Sequence, residues 1–158
     1  EVLNQEAANI RQAWNNARKG RDIVAQLTTF PQIADLTEPE PVLDTELLCN
    51  LRHLCNLYLA YASLNCQQGN TALATRELIQ IDSIFRKLSV NARSITTKLT
   101  CFSCLAGGIA AANIIANSPY SSTETVELLA QHFQPLENSH IPRLNNHRAW
   151  PLETGQRP

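Results

Sequence analysis

The residues best able to do chemistry are Cys101 and Cys104, two thiols separated by Phe102 and Ser103. A thioredoxin-type redox pair at this spacing needs a strand before it and a helix N-terminus beneath it to lower the thiol pKa. Neither is legible here, because the pair lies well inside a run whose apolar residues recur at helical spacing. A structural zinc site needs four ligands, usually from two such pairs, and no second Cys-x-x-Cys occurs. Packing of small apolar side chains is therefore the first reading of these thiols; a metal or redox site at Cys101 and Cys104 is the alternative. Cys49, Cys55 and Cys66 fall on one earlier helical run, too far apart along it to bridge one another while it stays intact. The cysteine count of 5 is odd, so at least one thiol has no disulfide partner within the chain. A disulfide between Cys101 and Cys104 requires Cβ geometry that regular helix rarely offers, so both are expected to stay thiols.

His53 lies one turn from Cys49, which brings two metal ligands to one face but does not complete a site; His132, His140 and His147 add nothing by spacing. Phosphate loop, nucleophile elbow, HExxH sequence and paired-carboxylate array are all absent from the sequence. The reading is of a non-enzymatic chain with no catalytic, cofactor-binding or metal residue to name.

The elements that carry these side chains are helical throughout. A first helix is expected from about Leu3 to Leu27, with Ala7, Ile10, Trp14, Ala17 and Val24 on one stripe and Gly20 weakening it locally. From Thr28 to Leu43 the period disappears, and Pro31, Pro39 and Pro41 make this a connector. It is acidic: Asp35, Glu38 and Glu40 lie within it, and no Lys or Arg occurs between Asp22 and Arg52. A second helix spans Asp44 to Gln67, with Leu48, Leu51, Cys55, Tyr58 and Ala62 on one face. Gly69 releases it and Asn70 caps the third, which runs to about Leu88; so short a turn forces an antiparallel hairpin.

The fourth helix covers about Ala92 to Asn117. Its expected core stripe is Ile95, Leu99, Phe102, Ala106, Ile109 and Ile114, and Gly107 with Gly108 makes its middle thin enough for close packing. It is expected to be the most buried helix. Its uncharged run from Leu99 to Ser122 is long enough for a bilayer but too polar and broken for one, which favours the centre of a bundle. A capping box, Ser121 to Glu124, opens a short fifth helix ending near His132. The expected fold class is all-α: a compact bundle of four long helices plus a short fifth over residues 1–136, with the connector at 28–43 inside it and an irregular tail over 137–158. The tail is mildly basic through Arg143, Arg148 and Arg157, and Trp150 is its aromatic anchor.

Hydrophobic residues at 44% and charged residues at 17% describe a chain that folds rather than a disordered one. A net charge of −1 and 6% aromatics supply neither the field nor the stacking surface of a nucleic-acid binder. The chain has no methionine even at position 1, so Glu1 is read as the start of a processed or excised domain.

Two resemblances rest on these residues. Gly69-Asn70 with Ala74 reproduces the turn spacing of a tetratricopeptide repeat, so the hairpin Leu57 to Leu88 resembles one; the Trp of that repeat is absent and no second copy follows. From Trp14 to about Leu136, the order of elements resembles uncharacterised bacterial envelope proteins with a single N-terminal membrane anchor and a helical periplasmic region. That order is a leading helix, a Pro-rich acidic connector, a Leu-rich hairpin with a Gly-Asn turn, and a helix beginning like Ala92-Arg-Ser-Ile95. The resemblance implies a periplasmic or membrane-associated location and implies no activity. The expected function is therefore a helical protein-interaction module, a subunit or periplasmic part of an envelope complex with a protein partner. Its contacts would lie in the irregular segments: Asp35, Glu38, Glu40, Arg143, Arg148, Trp150 and Arg157. The alternative to this, besides a thiol site, is a binding protein for a small apolar ligand held near Gly107 and Gly108.

Overall fold

The computed structural model describes residues 2–33, 45–92 and 94–134, and among them the chain is all-α. In chain order the helices are α1 (Val2–Asn16), α2 (Arg18–Thr29), α3 (Thr45–Gln67), α4 (Thr71–Asn91), α5 (Ile95–Ala116) and α6 (Thr123–His132). The expected first helix is thus two pieces. The break falls at Ala17 (φ −81, ψ 15) and not at Gly20, and the helical hydrogen bonds Ala17 N to Ala13 O and Arg21 N to Ala17 O carry across it. The stripe of Trp14 and Val24 still reaches the core on both sides of the break.

The turn between α3 and α4 forms as its residues dictate. Gly69 takes φ +81, the left-handed conformation that only glycine adopts freely. Its N–H donates to Cys66 O while the Asn70 N–H reaches back to Asn65 O, which closes the end of α3 as a Schellman motif. Asn70 stands at the start of α4, but its side chain makes no capping bond; its backbone carbonyl accepts from Ala74 N. Tyr120, in the corner between α5 and α6, lies against Gly69, and Thr71 Oγ1 donates to the Tyr120 carbonyl. Two helix ends are thereby tied to one corner.

Both later helices open on the same device. Ser94 accepts from Thr97 N at 2.9 Å and Ser122 accepts from Thr125 N at 3.2 Å, with the paired hydroxyls 2.8 and 3.0 Å apart. The cap of α6 is therefore Ser122 rather than the expected Ser121, whose hydroxyl instead donates to Ile115 O. That bond uses Ser121 to close the end of α5.

α4 is the hub. It packs on α2, α3, α5 and α6, while α1 lies on α3. One core cluster holds large side chains, among them Tyr58, Ile81, Phe85 and Leu105; the other is built from Ala62, Ala74, Ala111 and Ala112 around Leu78 and Ile115. Each fully buried large side chain contributes about 1.5–3 kcal/mol. The alanine cluster works differently, by letting α3, α4 and α5 approach closely enough for dense packing.

α4, not α5, is the most buried helix, and α5 is turned the opposite way to the expected stripe. Its buried residues are Thr97, Cys101, Cys104, Leu105, Gly108, Ala111, Ala112 and Ile115. The stripe expected inside faces out: Ile95 is 78% exposed, Leu99 63%, Ile109 55% and Ile114 58%. Phe102 and Ala106 are exposed with them. Both faces of α5 are apolar and share the helical period, so periodicity could not choose between them. Size decided it, because only the face of small residues can come close to α3 and α4.

Candidate functional site

At the middle of α5 the inward face meets a buried carboxylate. Asp82 on α4 is 2% exposed; its Oδ2 accepts from Arg86 Nε at 2.6 Å and lies 3.0 Å from His132 Nε2. Arg86 also donates to the Gln134 carbonyl, so α4 and the end of α6 are joined through one polar knot. The other carboxylate oxygen, Oδ1, has no hydrogen-bond partner and faces Gly108. A Cβ added to Gly108 would lie 2.9 Å from that oxygen. Gly108 is therefore the residue that leaves room for Asp82. A charge taken out of water needs a partner of opposite sign and further hydrogen bonds; the Arg86 guanidinium supplies the charge and His132 Nε2 a second contact.

The expected thiol pair lies inside the bundle, beside a third thiol. Cys101 and Cys104 are both buried on the inward face of α5, and Cys104 shares a hydrogen bond with Cys55 of α3. That bond, with burial behind it, pushes the Cys55 thiol far above its usual range, and it holds Cys104 below the ordinary thiol value. Sequence spacing set Cys104 beside Cys101, and the fold also brings it to Cys55. Cys66 is buried at the far end of α3, and Cys49, like its neighbour His53, is exposed. Among the described residues no group of three or more His, Cys, Asp or Glu stands close enough to hold a metal ion.

The glycine pair makes contacts in place of an opening. Gly107 faces the end of Leu59, 2.8 Å from where a Cβ would sit, and Gly108 faces Asp82 and Phe133. A small cleft of about 170 Å³ lies elsewhere, beside Trp14, and is lined by Arg11, Asn15, Asn65 and Gln68. It is below the size of drug-sized ligand sites, about 300–1,000 Å³. Its wall is a stack: Trp14 lies flat on Tyr61 at 3.9 Å and edge-on to Tyr58 at 4.8 Å, with the Arg21 guanidinium 4.5 Å above the indole. Burial pushes the Tyr58 hydroxyl up, Glu77 adds to the effect, and Arg21 opposes it. These contacts fix α1 on α3.

Among the described residues the outward face of α5 is accessible, as are the separate side chains of Ile23, Phe30, Tyr120 and Leu128. From Leu99 to Asn117 it carries no charge; Phe102, Ile109 and Ile114 alternate with Ser103, Ala106, Ala110 and Asn113. By length and composition α5 could cross a bilayer, with a mean hydropathy of 1.8, although 39% of that stretch is buried inside the protein.

Sequence reasoning singled out Asp35, Glu38, Glu40, Arg143, Arg148, Trp150 and Arg157, all of which lie outside the described residues. It missed Asp82, Arg86 and His132. A signal for Asp82 was present, since it falls four residues after Leu78 and among Ile81, Ile84 and Phe85, on the face that must be buried. The chain matches no protein-family model, no curated protein and no solved structure.

Proposed function

We propose that the chain is a non-enzymatic helical protein-interaction module, working as the periplasmic part of a bacterial envelope complex. The outward face of α5 supports this reading most directly: Leu99, Phe102, Ile109 and Ile114 are large, apolar and exposed on one side of a helix whose other side is committed to the core. The polar groups with unusual surroundings, Asp82 and Cys55, are buried where a substrate does not reach them. The envelope setting rests on the resemblance in element order from Trp14 to Leu136. Asp35, Glu38 and Glu40 in the connector, and Arg143, Arg148, Trp150 and Arg157 in the tail, are proposed as flanking contacts.

The experiment is comparative capture from native envelope extracts, using the wild-type chain beside Leu99→Glu and Ile109→Glu. The wild type should retain a defined partner set that both variants lose at unchanged helicity. If all three chains retain the same proteins, the α5 face is not the contact surface and the reading fails.

A further inference from the structure

We infer that the outward face of α5 is the interface of a parallel, two-fold symmetric dimer of this chain; this rests on the interaction reading above. The first observation is spacing. Ile95, Leu99, Phe102, Ala106, Ile109 and Asn113 recur at alternating steps of four and three, and all six are exposed. Strict alternation of this kind is the seam of a two-helix coiled contact, narrower than the stripe a helix needs to face a globular core. α5 thus carries two patterns at once, with the broad one spent on α3 and α4.

The second observation is charge. Lys98 flanks the seam at its start, and no other ionisable side chain with a full charge follows on α5. Two copies laid in register meet without a like-charge pair along the seam, Lys98 standing opposite the neighbourhood of Ser103 and not of another Lys98. A lipid surface fits less well, since among the described residues no basic cluster borders the face and Asp82 holds the inner side of the helix at Gly108.

Direction follows from Asn113. Its Oδ1 accepts from Asn117 Nδ2 at 2.9 Å and keeps a second lone pair, and its own amide N–H groups are left to donate outward. In a parallel pair Asn113 faces the same residue of its partner, where two amides can satisfy each other. An antiparallel pair centred on Ala106 would set Asn113 against Leu99 and bury the amide unpaired. A single Asn at such a seam position specifies register and a two-stranded state. The 22 residues of α5 run about 33 Å at 1.5 Å rise per residue. Two such seams with their flanks cover on the order of 1,000 Å² in total, the lower bound for a specific contact and the range of a weak, reversible pair.

The test is the solution mass of the full chain by light scattering over a dilution series. Three further chains accompany it: Leu99→Glu, Ile109→Glu, and Ala106→Cys in a Cys49→Ser background. The wild type should run at twice 17.6 kDa, and both Glu variants should run at 17.6 kDa with unchanged circular dichroism. The thiol introduced by Ala106→Cys should cross-link to its own copy on mild oxidation by a disulfide reagent. A monomeric wild type, with that introduced thiol alkylated at the rate of a free one, overturns the dimer but leaves the interaction reading standing, with a different protein as occupant. A monomeric wild type with the introduced thiol protected assigns the face to this chain's own residues 135–158 and overturns both. Co-sedimentation of the wild type with phosphatidylcholine vesicles, lost in Leu99→Glu, overturns both in favour of a lipid surface.

Discussion

The two faces of α5 are equally apolar and have opposite fates. The inner face sets the small residues Cys101, Cys104, Gly108, Ala111 and Ala112 beside Leu105 and Ile115; the outer one carries Leu99, Phe102, Ile109 and Ile114. A transfer scale would bury the outer face first, because its side chains have more apolar area to remove from water. The protein does the reverse. Close approach of α3 and α4, and room for a carboxylate, matter more at the bundle centre than the area of any single side chain. The larger residues are left exposed.

That contrast can be broken most forcefully at Asp82. Replacing it with Ala leaves Arg86 and His132 without their shared acceptor; the cost should be about 3 kcal/mol, the lower end for a broken buried pair because both partners keep some solvent. Urea denaturation measures it, and a loss below about 1 kcal/mol would mean the knot is ornamental to stability. Next in size is Gly108→Leu, which overpacks the inner face and should cost about 2 kcal/mol. Gly108→Ala should also destabilise, despite the better helix propensity of Ala, because the added carbon meets Asp82 Oδ1. In an Asp82→Ala background the same change should become neutral or stabilising; additive effects of the two substitutions would refute the close approach.

A smaller effect comes from pH. The Cys55 thiol is raised in the folded state, so folding keeps a proton that the unfolded chain releases above about 8.5. Stability attributable to Cys55 is complete below that pH and is lost as pH climbs above it, at up to about 1.4 kcal/mol per unit. Tyr58 adds a loss of the same sign above about 10. Replacing both thiols, Cys55→Val with Cys104→Val, should flatten the decline between about pH 8.5 and 10, and an unchanged slope would show that the thiol pair does not hold the proton. The least effect is expected on the outer face. Leu99→Glu and Ile109→Glu should change monomer stability by no more than about 0.5 kcal/mol; a loss of about 2 kcal/mol would place these side chains in the fold and remove the contrast between the two faces.

Local chemistry made several parts of the fold legible in advance. Gly69 needs a left-handed position and Asn70 begins a helix, which was enough to place the α3–α4 hairpin. The apolar stripes of α3, a helix read as buried on more than one side, and of α4 were legible, and Tyr58, Leu78, Ile81 and Phe85 are buried as their spacing required. The inward face of α5 was not legible, because its period is satisfied by either side. Nor was the break at Ala17, which comes from packing α1 on α3 and α2 on α4, while Gly20, the residue with the weakest helix propensity nearby, stays helical against Leu54. Asp82 and His132 are fifty positions apart in the chain, and no local pattern reports such a meeting. The same holds for Cys55 and Cys104, whose partnership depends on how two helices rotate about their axes.

Lys87 has a consequence for how the chain tolerates change. Its ammonium donates to the carbonyls of Thr28 at 2.9 Å and Phe30 at 2.7 Å, and Asn91 on the next turn donates to Ile33 at 2.9 Å. A cation at the carbonyl end of α2 also complements the helix dipole there. The end of α2 is therefore held by α4, independently of any residue after Ile33. Extra chain inserted just beyond that point should leave the bundle folded, since doubling a connecting segment costs only about 0.6 kcal/mol in closure entropy. The position after Ile33 is thus a natural place for a tag, a protease site or a second domain to be accepted.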